Sequence, residues 1–106
     1  MKDLRIAAVI FRMASYDARV NLESMVKWIK EAKERGALIV CFPELNITGY
    51  GTDAKIFGSA EEIPGEISAT VSDMSSGHGV IILAGMAEKD GKNRIFASHM
   101  VAKPDG

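Results

Sequence analysis

Gly36-Ala37-Leu38-Ile39-Val40-Cys41-Phe42-Pro43-Glu44 decides how this chain folds. Six apolar residues in a row, bounded by a glycine and a proline, read as a strand buried on both faces. Pro43 has no N–H, so it stops the strand and aims the next residue, Glu44, off the sheet edge. A continuous apolar strand needs parallel neighbours and covering helices, and the flanking sequence has the pattern of both.

Upstream, Ala18, Leu22, Met25, Val26, Ile29 and Ala32 recur at helical spacing, while Arg19, Glu23, Lys27, Lys30, Glu31 and Glu34 fall on the opposite side. Glu23 with Lys27, and Lys27 with Glu31, are spaced for ion pairs along that helix. Asp17 or Asn21 suits its start and Gly36 its end. Before it, Leu4-Arg5-Ile6-Ala7-Ala8-Val9-Ile10 reads as another buried strand, broken at Ser15-Tyr16-Asp17. Strand, helix and strand with a short return form a right-handed βαβ unit, so the first two strands are predicted to be parallel.

Downstream, residues 44–60 read as a long loop with a short helical turn. Ile67, Val71 and Met74 predict a short amphipathic helix between Pro64-Gly65 and Gly77. Residues 79–86 predict a third buried strand, Asp90-Gly91 a turn, residues 94–102 a fourth strand, and Pro104-Asp105-Gly106 a further turn. The expected order is β α β, loop, α β β: an α/β sheet, parallel first and closed by a hairpin.

Composition removes several classes of function. With 47% hydrophobic residues over 106 positions the chain has the material for a packed core, so disorder is not expected. Thirteen Lys and Arg balance fourteen Asp and Glu, leaving no basic field for nucleic acid or an anionic membrane. The apolar run at the amino end is too short for a signal sequence or a membrane span. The single cysteine makes no internal disulfide or Cys-rich zinc site, which fits a reducing, cytoplasmic setting.

Sites on open parallel sheets form beyond the carboxyl ends of the strands. Glu44 is predicted there, between Phe42, Pro43, Leu45 and Ile47. Apolar neighbours disfavour a carboxylate's charged form and bring it towards the range useful for a general base. From residue pattern alone two readings stand, a base and a surface acid after a strand. Thr48-Gly49-Tyr50-Gly51 reads as a turn that needs glycine at positive φ.

Phe42-Pro43-Glu44-Leu45 followed by Thr48-Gly49-Tyr50 resembles the first signature block of the nitrilase superfamily, the carbon–nitrogen hydrolases. Asn21-Leu22 on the first helix, Arg35-Gly36-Ala37, Pro64-Gly65, the strand over 80–87 and Pro104-Asp105-Gly106 occur in the order of that family, so the resemblance spans the chain. Phe96-Ala97 departs from it, where many relatives carry Tyr-Asn. The resemblance implies a complete fold that is a four-layer αββα sandwich, commonly paired. Residues 1–106 would be its N-terminal, incomplete part, with about four strands and two helices. It implies hydrolysis of a small amide or nitrile by a Glu-Lys-Cys set without metal or organic cofactor. Glu44 matches the glutamate. The family's lysine follows the Pro-Asp-Gly turn and its cysteine lies further on, so the 106-residue chain alone is expected to be inactive, an α/β domain that binds or associates being the alternative.

Other candidates read as structural. Cys41 sits inside a strand with no cation to activate it, and in the family pattern its position is usually aliphatic. Lys103 precedes the turn that the family's lysine follows. His78 between two glycines reads as a turn residue, and His99 belongs to the fourth strand. No His/Cys/Asp cluster supplies a metal site. Six methionines read as core filler, and no phosphate-binding loop occurs. Two helices on one face would leave the other face of the sheet open, so the chain is expected to self-associate as a homo-oligomer.

Overall fold

A computed structural model describes residues 3–10, 16–49 and 54–106. Element order is β1 (Ile6–Ala8), α1 (Ala18–Glu34), β2 (Ile39–Cys41), α2 (Ala54–Ser59), α3 (Glu66–His78), β3 (Ile81–Lys89) and β4 (Ile95–Ala102). One four-stranded sheet runs β1-β2-β3-β4. Its first three strands are parallel and β4 returns antiparallel to β3, as the sequence predicts. The break expected at Ser15 lies outside the described residues.

Register divides the sheet into two faces. Ala7, Val40 and Ile82 lie side by side, flanked by the rows Ile6, Ile39, Ile81 and Ala8, Cys41, Leu83. Since side chains alternate along a strand, the Val40 row, with Ala84 and Met86, points to one face. That face meets α1 and α3. Met25 and Ile29 of α1, and Ile67 and Val71 of α3, are buried against Val40, Ile82 and Met86 in the main core. Each such side chain stabilises the fold by about 1.5–3 kcal/mol through loss of apolar surface from water.

Both long helices follow their periodicity. Asp17 caps α1, its carboxylate accepting from the Arg19 N–H at 3.0 Å. The alternative cap, Asn21, is buried inside the helix. Gly36 takes the left-handed conformation just past the end, at φ 84°. On the solvated side Glu31 pairs with Arg35 rather than Lys27, and the Lys27 ammonium stands 5.3 Å from the Trp28 ring centre. The N-terminus of α3 is closed by the Ser68 hydroxyl, which accepts from Gly65 N–H at 2.8 Å, and by Glu61, which accepts from Ile67 N–H at 3.1 Å. The helix passes through Gly77 and His78 and stops at Gly79, at φ 65°. The expected stop at Gly77 is therefore two residues early, and His78 is the last helical residue rather than part of a turn. A lone glycine weakens a helix without ending it, whereas the left-handed geometry at Gly79 does end it. Ser75 and Ser76 tie α3 to the end of β4 and the chain just past it, donating to the carbonyls of Ala102 and Pro104, each at 3.1 Å.

Three further expectations need correction. β1 is an edge strand, not a strand buried on both faces: Ile6 is 56% exposed and Ile10 93%. Cys41 is half-buried, because its row faces away from the helices. The face opposite α1 and α3 is not wholly open. The long loop folds back over its carboxyl-terminal end, where Ile56 and Ala60 of the α2 segment pack with Ala87, Leu45, Ile95 and Tyr16 in a second, smaller core. Ile6 and Val101, at 64%, remain exposed on that face.

Candidate active site

Where β2 ends, β3 continues for six more residues, and its edge still needs hydrogen-bond partners. The last ordinary strand contact is Phe42 N–H to Leu83 O, at 2.8 Å. Pro43 then offers no donor, and residues 44–48 form a turn. Gly49 N–H closes on Leu45 O at 2.9 Å, with Leu45 at φ 55° and Gly49 at φ 109°. A glycine is thus required at 49, as the sequence predicts. Tyr50 and Gly51 lie outside the described residues.

The turn does the work of the missing strand. Ile47 N–H donates to Gly85 O at 3.0 Å. Asn46 Oδ1 accepts from Gly85 N–H at 2.9 Å, and Thr48 Oγ1 accepts from Ala87 N–H at 2.7 Å. Glu61 completes the edge, donating its N–H to Ala87 O and accepting from Lys89 N–H, at 3.2 and 2.9 Å. From α1, Asn21 Nδ2 donates to Ile47 O at 2.8 Å. Asn46 and Thr48 are fully covered, and Asn46 Nδ2 has no hydrogen-bond partner.

Gly85 sets how closely the turn approaches. A Cβ there would stand 2.4 Å from Leu45 N and 3.1 Å from Glu44 Cα, both fixed backbone atoms. Its neighbours Ala84 and Met86 point into the main core, so Gly85 presents its bare side to the opposite face. Glu44 therefore sits over that face, at the carboxyl end of β2, where sites on parallel sheets are expected. Its side chain is exposed. Phe42 and Ile47 are buried in the core on the helical side, so they are not part of the apolar surround expected for Glu44.

Other sequence candidates lie elsewhere. Lys103 is exposed and follows Ala102, whose partner Ile82 lies roughly 10 Å along β3 from Gly85, so Lys103 stands further still from the turn. His99 is opposite Gly85 across the hairpin and is exposed there. Among the described residues no three His, Cys, Asp or Glu side chains gather as a metal site, and no helix is long and apolar enough to cross a membrane. A groove of about 430 Å³ between α1 and α3, walled by Leu22, Val26, Ile67 and Met74, does not include Glu44. Sequence reasoning missed Asn46 and Gly85. The available signal was the glycine itself, set in the apolar run Ile81-Ile82-Leu83-Ala84-Gly85-Met86, because a glycine inside a strand marks close approach of another backbone.

Residues 5–106 match the family model described as carbon-nitrogen hydrolase. A nitrilase from Pyrococcus abyssi is 42% identical over 89 residues, covering 81% of this chain and 34% of that protein. An omega-amidase from Xenopus tropicalis is 33% identical over 107 residues, covering 100% of this chain and 38% of that protein. Among solved structures, a CN-hydrolase superfamily protein from Xanthomonas campestris superposes with a TM-score of 0.84 at 21% identity, over 99% of this chain and 38% of its own. An amidase from Nesterenkonia sp. does so at 0.81 and 19%, over 95% and 38%. The chain thus spans little more than a third of these relatives' lengths, and the architecture is theirs.

Proposed function

The chain belongs to the carbon-nitrogen hydrolase family, and from that premise we propose that Glu44 is the general base of a hydrolase acting on a small amide or nitrile. The lysine and the nucleophilic cysteine of the set would come from polypeptide beyond the Pro104-Asp105-Gly106 turn. In the proposed reaction a thiolate attacks the amide or nitrile carbon, forming an S–C bond, and Glu44 holds the proton taken from the thiol. For an amide the proton passes to nitrogen, the C–N bond breaks and ammonia leaves; for a nitrile the proton passes to nitrogen to give a thioimidate, and one water then adds at its carbon and ammonia leaves. Either way a thioester remains, and a further water cleaves its S–C bond, adding hydroxyl to carbon to release the acid and returning a proton to sulfur. The lysine would stabilise negative charge developing on oxygen.

The observation that supports this reading is the seat of Glu44: a signature-block glutamate carried beyond the end of a parallel strand, in a turn that Asn46, Ile47 and Thr48 bond to the next strand. Names among the relatives, a nitrilase and an omega-amidase, support the substrate class. The test is a chimera in which residues 1–106 replace the matching part of the Pyrococcus abyssi nitrilase. Turnover in the chimera is expected to fall by about 10² or more on Glu44→Gln, the scale of general-base loss, with melting temperature nearly unchanged. Near-normal turnover in that variant would return Glu44 to a surface acid. The 106-residue chain alone is expected to release no ammonia from amides.

One observation favours a second role for the isolated chain, association. Ile6, Ile39 and Ile81 form an apolar row on the face away from the helices, with Val101 exposed beyond Leu83. We propose that two copies bury this row against each other. Sedimentation equilibrium at micromolar concentration should show dimer, and an ideal 11.4 kDa species would exclude it.

A further inference from the structure

We infer that Asn46 and Thr48 are positioning residues for Glu44, acting as a strand made of side chains. This rests on Glu44 being the base. A base works only if its carboxylate is held within hydrogen-bond reach of the proton it takes, yet Glu44 stands in a turn, and turns are ordinarily the mobile parts of a fold. Three features of this turn remove that freedom. Gly85 lets the Glu44–Leu45 backbone lie directly on β3. Thr48 Oγ1 accepts from Ala87 N–H and Asn46 Oδ1 from Gly85 N–H, two residues apart on one strand edge, so the turn is fixed at two points on either side of Gly85 O, itself bound to Ile47 N–H. Asn21 holds the Ile47 carbonyl from the helical side.

The unpartnered Asn46 Nδ2 bears on the same point. The bond to Gly85 fixes the amide's orientation, with Oδ1 towards the strand, and leaves Nδ2 buried and unsatisfied. Buried donors are nearly always paired. An asparagine at this place is explained by what its oxygen does for β3, not by what its nitrogen gains. Thr48 acts likewise: its hydroxyl serves a backbone amide of another element, not its own turn.

The experiment has two arms. In the isotopically labelled 106-residue chain, Thr48→Val should lower hydrogen-exchange protection of the Ala87 amide by about tenfold or more and weaken the nuclear Overhauser contact between the α protons of Glu44 and Gly85. Thr48→Ser, which keeps the acceptor, should restore both, and Asn46→Ala should act the same way at the Gly85 amide. In the chimera, Thr48→Val should lower kcat by about tenfold while KM holds, with Thr48→Ser restoring it. An unchanged Glu44–Gly85 contact in both Thr48→Val and Asn46→Ala would overturn the inference, as would Thr48→Ser failing to rescue. The first arm needs no turnover, so a chimera indifferent to Glu44→Gln would sink the proposed base while leaving the seating of residue 44 separately measured.

Discussion

The two faces of β3 are held by different physics. Towards α1 and α3, Ile82, Ala84 and Met86 meet Met25, Ile29, Ile67 and Val71 in a dry core that any well-packed set of apolar side chains could rebuild. Towards the turn, Gly85 and Ala87 meet Leu45, Ile56 and Ala60 in a small cluster, and the contact is specified by three hydrogen bonds and a missing Cβ. The first face supplies stability without much geometry. The second supplies geometry with little apolar area, and it is the one that carries Glu44.

Substitutions on the two faces should therefore fail differently. The largest loss is expected at Ile29→Ala, fully buried on the helical face, at about 2–5 kcal/mol of unfolding free energy. Denaturant titration measures it, and the Glu44–Gly85 proton contact should survive at temperatures where the variant is folded. Gly85→Ala should cost less, about 1–3 kcal/mol for a methyl forced into occupied space, yet it should move the Glu44 turn, because the atoms it meets are backbone and cannot swing aside. If Ile29→Ala shifts the turn and Gly85→Ala does not, the division of labour between the faces is wrong.

The smallest effect is expected where the same device stands in water. In the loop from β3 to β4, the Asp90 carboxylate accepts from the Lys92 and Arg94 N–H groups, each at 2.9 Å, and from Arg94 Nε at 2.6 Å. The Arg94 backbone N–H, aided by the Arg94 side chain and the Lys92 N–H and opposed by partial desolvation, holds the Asp90 carboxyl below its ordinary value of 3.8. A carboxyl lowered on folding stabilises the fold fully above that ordinary value, and the contribution fades as pH falls through the lower folded one. Asp90→Asn should thus flatten the pH dependence of melting below about pH 4 and change the melting temperature little at neutral pH, where exposed ion pairs contribute little. A variant that keeps the full acid dependence would place it on other carboxylates.

How much of this was legible in sequence follows from the same contrast. Apolar period read out α1, α3, the parallel strands and the hairpin, because burial on a helix or sheet face is written residue by residue. The family block placed Glu44 after β2. Periodicity had no means of showing that β1 would sit at an edge, since its apolar residues look the same whether or not a neighbour covers them. Nor could it show the seat of the turn: Asn46 and Thr48 pair with amides 39 residues away, and polar side chains in a loop give no hint of which distant backbone they serve. Only the glycine at 85 carried a local trace of the contact.

The order β1-β2-β3-β4 across the sheet is also the order along the chain, and this bears on how the fold is reached. Lys89 pairs with Ile95 across a five-residue loop, whereas Ile6 must find Ile39, and Ile39 must find Ile81. Closing a loop loses more entropy the longer it is, so the hairpin nucleates most readily, and each parallel strand then docks on an edge already formed. Every addition joins sequence neighbours and no strand has to be threaded between two others, so assembly can proceed from the hairpin outward by accretion at one edge.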